Sequence, residues 1–200
     1  MINIESLVRP NILNLTPYSS ARDEFDGKNG IFLDANENPF GTLNRYPDPH
    51  QIVLKQKLAT LKGVDSNNIF VGNGSDEVID LAFRIFCTPG IDKALTFTPT
   101  YGMYDVSAAI NNVELVKIPL NKDFQIDTEN VIPHLADAKI KLLFICSPNN
   151  PTGGLMNKKD MEYILKNFNG IVIVDEAYID FAESESFIGL IKQYHNLIVS

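Results

Sequence analysis

Tryptophan is absent from this 200-residue chain, and cysteine, histidine and methionine are scarce at two, three and four. Two cysteines do not make a disulfide framework. Cys87 and Cys146 each end an apolar stretch, RIFC and LLFIC, as buried free thiols do. His50, His134 and His195 are scattered, so no clustered spacing of metal ligands arises and no metal site is expected. Positive charge is also short, with 17 Lys and Arg against 25 Asp and Glu, a net charge of −8. That balance excludes the clustered basic surface of a nucleic-acid binder. No apolar run approaches the ~20 residues of a membrane span. The opening MINIESLVRPNILNL carries early charge and lacks the apolar core of a signal peptide. A cytoplasmic location without membrane or nucleic-acid partners is the default expectation. What is there is 44% hydrophobic and 21% charged, the mix of a globular protein.

Residues 1–45 read as an N-terminal arm, rich in turn signals (Pro10, Pro17, DEFDGKNG, NENPFG) and weakly periodic. Residues 46–200 read as one domain, incomplete at Ser200. Its first helix should be capped by Asp48, start at Pro49, carry the apolar stripe Leu54, Leu58, Leu61 and close at Gly63. Then strands and helices alternate. NIFVG, KALTFT, VELVKIP, KLLFIC, IVIVD and NLIVS are the predicted strands. SDEVIDLAFRIF, YGMYDVSAAIN, NKKDMEYILKNF and SESFIGLIKQYH are the predicted helices. This order predicts an α/β fold: three layers, with helices on both faces of a mainly parallel sheet.

Three strand ends carry chemistry. In VGNGSDEVID, Gly72 and Gly74 precede a helix opened by Ser75 and Asp76. Bare amides and the helix dipole there suit a phosphate, although a plain capped helix explains the same residues. It is neither a P-loop nor a dinucleotide fingerprint, because no Gly-Lys-Ser/Thr follows and Glu77 stands at the third glycine. CSPNNPTGG follows a buried strand and is longer than a turn requires; its asparagines suit a ligand oxygen, or simply a turn cluster. IVIVDEAY runs a buried strand into Asp175 and Tyr178. A phosphate cradle, an Asn amide, a buried carboxylate and a phenol at the ends of one sheet are together what pyridoxal phosphate uses, with Tyr101 available to cover the ring.

The motifs GNGSDEVID, PTYGMY, CSPNNPTGG and VDEAYIDF resemble those of the class I/II aminotransferases of fold type I. With NLTPY, LDANENPFG and NRYPDP, the chain is most similar to the histidinol-phosphate aminotransferases among them. The resemblance implies a homodimer that uses pyridoxal 5'-phosphate. It would exchange an amino group between L-histidinol phosphate and 2-oxoglutarate, giving L-glutamate, in histidine biosynthesis. It places the cofactor phosphate at Gly74, Ser75 and Asp76, and Tyr101 on the ring. Asn150 and Tyr178 fall at the 3′-oxygen and Asp175 at the pyridine nitrogen. Tyr46 would reach the partner's cofactor phosphate, and Tyr18 and Asn36 would lie near substrate; packing of the arm is the plainer account of Tyr18 and Tyr46.

The family's Schiff-base lysine matches none of the 13 lysines present, and the resemblance places it beyond Ser200, with later substrate-binding arginines and a small domain. The expectation is therefore an N-terminal portion of such an enzyme, with no catalytic residue in this span. Alternatives are a threonine-phosphate decarboxylase or aromatic aminotransferase of the same group, a non-catalytic binding module that keeps the cradle, and a nucleotide-binding α/β protein.

Overall fold

The computed structural model describes residues 2–21, 24–25 and 30–200. They fall into two compact units, one of Met1–Leu13 with Gly72–Ser200 and one of Asn14–Val71. The break at 71/72 lies well after the 45/46 boundary drawn from the sequence.

The larger unit is built on five parallel strands in the order β2-β1-β3-β4-β5. They are β1 (Lys93–Thr98), β2 (Glu114–Pro119), β3 (Ile140–Cys146), β4 (Ile171–Asp175) and β5 (Leu197–Val199). The helices of this unit are α1 (Pro10–Leu13), α3 (Ser75–Phe86), α4 (Met103–Ile110), α5 (Thr128–Leu135) and α6 (Lys158–Asn167). From β1 the chain steps outward to β2, then returns across β1 to β3 and continues to β4 and β5. Parallel crossovers keep one hand, so this reversal sends helices to opposite faces.

Side-chain parity matches that layering. Leu95, Phe97, Leu143, Ile145, Val172 and Val174 pack with Val131, Leu135, Met161, Ile164 and Leu165 of α5 and α6. The alternate residues Ala94, Leu142, Phe144, Cys146, Ile171 and Ile173 pack with Ile79, Phe83, Tyr104 and Ala108 of α3 and α4. Both faces being covered explains why β4 is buried at all five positions. Both cysteines are free and buried. At the chain start, the Arg9 amide and guanidinium donate to the Ile85 and Arg84 carbonyls at the end of α3.

Four expectations need correction. NIFVG forms no strand: Phe70 is 61% exposed, and a strand exists only within a ladder, which here closes on β2 and β5 among the described residues. SESFIGLIKQYH forms a 3-10 turn at Phe187–Leu190, not an α-helix. The Glu176 carboxylate draws off the Ser186 hydroxyl and the Phe187 amide, and Gly189 weakens any helix there. YGMYDVSAAIN becomes helical only at Met103, leaving Tyr101 before α4. The last correction lies in the smaller unit, where α2 spans Ile52–Lys62 and so starts after Pro49. Asp48 still accepts from the His50 and Ile52 amides, but Gln51 between them is left-handed at φ 48°. Gly63 closes α2 in the left-handed conformation at φ 69°, while the leucine stripe buries none of its residues.

Helix α5 was not anticipated. Asp127 caps it by accepting from the Glu129 amide, and Pro133 within it disguises the helical pattern. Among the described residues no helix is long and apolar enough to cross a membrane.

Candidate functional site

In open parallel sheets a crevice opens at the carboxyl ends of the strands where strand order reverses. Here that point lies between β1 and β3, and the loops leaving them meet there. Asn149, 2% exposed, clamps the two. Its amide nitrogen donates to the Pro99 carbonyl (3.0 Å) and to Thr152 Oγ1 (2.9 Å), and its Oδ1 accepts from Thr100 Oγ1 (3.1 Å). Its backbone amide donates to the Gly154 carbonyl and its carbonyl accepts from the Gly153 amide, closing the loop on itself. Asn149 thus holds the loop, and the neighbouring Asn150, only partly buried, faces a cleft of about 540 Å³ shared with Tyr178 and Phe181.

Asp175 ends β4 in register with Cys146 of β3. Parity turns its side chain to the face of Ile171 and Ile173, into the layer of α3 and α4. It is 3% exposed. Its Oδ2 accepts from the Tyr104 hydroxyl at 2.7 Å and its Oδ1 from the Ala177 amide at 3.2 Å. Glu176, the next residue, is also buried. It accepts from Ser186 and Phe187, stapling the segment after β4 back on itself. Among the described residues no three His, Cys, Asp or Glu side chains converge as a metal site would require.

Gly74 precedes helix α3 as its N-cap, and its φ of 80° and ψ of 171° suit glycine and few other residues. No side chain caps the helix there. Glu77 instead turns back to accept from the Asn73 amide, while the Asp76 carboxylate accepts from the Tyr101 hydroxyl at 3.0 Å. That bond, followed by desolvation and the charges of Asp76, Asp175 and Tyr178, holds the Tyr101 phenol above its ordinary pKa. Tyr101 also meets Tyr104 edge to face at 5.8 Å.

The structure thus gathers Gly74, Ser75, Asp76, Tyr101, Asn150, Asp175 and Tyr178 at one end of one sheet. Only Asn150 and Tyr178 line the cleft itself. Tyr18, Asn36 and Tyr46 belong to the smaller unit, where all three are exposed. There the Glu37 carboxylate binds Arg45 (2.6 Å) and the Tyr46 amide (2.9 Å). The sequence reading missed Asn149 and Tyr104. Their residue types in NNP and YGMY were visible, but which of two adjacent asparagines faces inward, and which tyrosine meets Asp175, depends on packing.

A family model described as aminotransferase class I and II matches residues 26–200. The chain is 54% identical over 200 residues to the histidinol-phosphate aminotransferase of Parabacteroides distasonis, covering 100% of this chain and 58% of that protein. The crystal structure of the histidinol-phosphate aminotransferase from Clostridium acetobutylicum superposes with a TM-score of 0.69 at 32% identity, over 78% of this chain and 46% of that one. L-threonine-O-3-phosphate decarboxylase from Porphyromonas gingivalis superposes at a TM-score of 0.63 and 25% identity, over 78% and 47%. The chain thus spans little more than half the length of its relatives. With a match across seven-eighths of its residues on the expected parallel sheet, the chain belongs to the class I and II aminotransferase family.

Proposed function

We propose that the full-length protein is a pyridoxal-phosphate-dependent aminotransferase that moves an amino group from L-histidinol phosphate to 2-oxoglutarate. The observation that carries this reading is a buried carboxylate, Asp175, at the carboxyl edge of the sheet, with an uncapped helix start at Gly74 and a cleft lined by Asn150 and Tyr178. The choice of substrate rests on the relative named above. Cytoplasmic histidine biosynthesis and a homodimer, with Tyr46 reaching the partner's site and Tyr18 and Asn36 near substrate, belong to the same proposal.

The residues present fit the cofactor. Gly74 leaves the first amides of α3 without a side-chain cap, open to a phosphate, and a side chain at its φ of 80° would be strained. Asp76 and Glu77 put two carboxylates in the same turn; Asp76 is engaged by the Tyr101 hydroxyl and Glu77 by the Asn73 amide, and neither caps the first amides of α3 at Gly74. When bound, pyridoxal phosphate supplies a protonated ring that withdraws electrons from the carbon bearing the amino group.

The chain's own residues would hold that ring. Backbone amides at Ser75 and Asp76 bind its phosphate. Asp175 holds a proton on the ring nitrogen. Asn150 and Tyr178, which line one cleft, would donate to the 3′-oxygen. Tyr101, fixed through its hydroxyl by Asp76, covers one face and excludes water.

The test is transamination of histidinol phosphate by the full-length protein and by its Asp175→Asn variant. A neutral amide cannot keep the nitrogen protonated, and loss of one such electrostatic group costs on the order of 10² to 10³ in kcat. Turnover of Asp175→Asn within a few-fold of the parent would refute the role of Asp175. Decarboxylation of threonine phosphate with no transamination would favour the second reading, which the Porphyromonas neighbour keeps open.

A further inference from the structure

We propose that Tyr104 is a positioning residue of this site, acting through Asp175; the inference rests on the reading of the site given above. Strand parity puts Asp175 on the face of β4 that carries Ile171 and Ile173, which pack with Ile79, Phe83 and Phe144. No ion pair among the described residues includes Asp175. Its carboxylate is held by two neutral donors from two elements, the Tyr104 hydroxyl of α4 on Oδ2 and the Ala177 amide on Oδ1. Two anchors on different elements set the plane of the carboxylate, and the Tyr104 bond is the shorter.

Tyr104 has no freedom of its own. It is 0% exposed. Its ring stacks on Phe144 of β3, with centroids 4.8 Å apart and planes 20° apart, and Tyr101 abuts it edge to face. Burial, followed by the charge of Asp175, pushes its phenol far above the ordinary range. The hydroxyl thus stays protonated and donates to Asp175. The same ring touches Tyr101, whose own hydroxyl is tied to Asp76. One packed set of side chains thus runs from the start of α3, through Tyr101 and Tyr104, to the end of β4. It ties the pyridine end of the site to its phosphate end.

Tyr104→Phe removes one oxygen and preserves the stack, so it isolates the hydroxyl. In the full-length protein this variant should lower kcat roughly 10- to 100-fold, with KM for the amino donor within about threefold, because misorientation of a positioned group costs that much without altering substrate contacts. Binding of pyridoxal phosphate to the cofactor-free protein, read by equilibrium dialysis, should weaken about tenfold, and the loss of kcat should shrink to about twofold or less in an Asp175→Asn background, since two residues acting as one unit are not additive. An equal loss in both backgrounds overturns the proposal and leaves Tyr104 a packing residue. So does a Tyr104→Phe protein with unchanged kcat and cofactor affinity. Should Tyr104→Phe not fold, Phe144→Leu loosens the stack but keeps the hydroxyl. It must then lower kcat in the parent and not in Asp175→Asn, or the proposal fails. A parent protein that does not bind pyridoxal phosphate would instead overturn the underlying reading of the site.

Discussion

Replacing Asn149 by alanine tests the claim that a buried amide at the strand-order reversal builds the site. The side chain makes three hydrogen bonds, to Pro99, Thr100 and Thr152, at 3.0, 3.1 and 2.9 Å. Each such bond contributes about 1 kcal/mol net, so Asn149→Ala should cost about 3 kcal/mol of unfolding free energy. Part of that loss comes from the Pro99 carbonyl and the threonine hydroxyls, left without a partner in a partly buried place. Thr100→Val and Thr152→Ala each remove one bond and should cost about 1 kcal/mol apiece. Asn149→Asp keeps the shape but cannot donate to the Pro99 carbonyl, and it should be at least as damaging as alanine. Urea unfolding of the full-length protein without cofactor, fitted for each variant, measures all four. The same variants should bind pyridoxal phosphate more weakly in the order of their stability loss, because the clamp also sets Asn150 in the cleft. Asn149→Ala within about 0.5 kcal/mol of the parent, inside the range of an ordinary surface change, would refute the clamp. So would a single threonine variant as harmful as Asn149→Ala.

Two further outcomes follow from packing. A Cβ on Gly170 would stand 2.6 Å from the Lys141 carbonyl oxygen and 2.5 and 2.7 Å from ring atoms of Phe168. The backbone oxygen cannot swing away, so Gly170→Ala should cost about 1–3 kcal/mol by overpacking, read as a lower unfolding midpoint. Burial, reinforced by the charge of Asp92, pushes the Cys87 thiol up to about 12 from 9.0. Between those values the unfolded chain gives up a proton that the folded chain keeps, so stability falls as pH rises from 9 towards 12. The slope from this group is at most about 1.4 kcal/mol per pH unit. Unfolding free energy measured across that window should fall less steeply in Cys87→Ala than in the parent, and equal slopes would show that Cys87 is not the titrating group.

Much of the fold was legible because its signals are local. IVIVD and KLLFIC are continuous apolar runs, and such strands must be covered on both faces; the structure covers them so. The period of two in a strand also settles, from numbering alone, that Asp175 shares a face with Ile171 and Ile173. Gly74 ahead of an acidic helix start and Gly63 after a leucine stripe are backbone signals that need no tertiary partner. Where a local signal misled, a distant group had intervened. SESFIGL lost its helix to the Glu176 carboxylate, and NIFVG found no ladder to join.

Tertiary structure alone decided the rest. The reversal of strand order between β1 and β3 comes from crossover handedness and from which helix covers which face, and no window of sequence encodes it. That reversal brings residues 50 positions apart, Pro99 and Asn149, to one hydrogen bond, and selects Asn149 over Asn150 as the clamp. It also gives Asp175 its donor, 71 positions away in Tyr104. Sequence by itself determined the periodicities, the caps and the chemical kinds of residue at the strand ends. Partner choice waited for the fold, because a hydrogen bond is decided within about 3 Å and only packing brings distant residues that close.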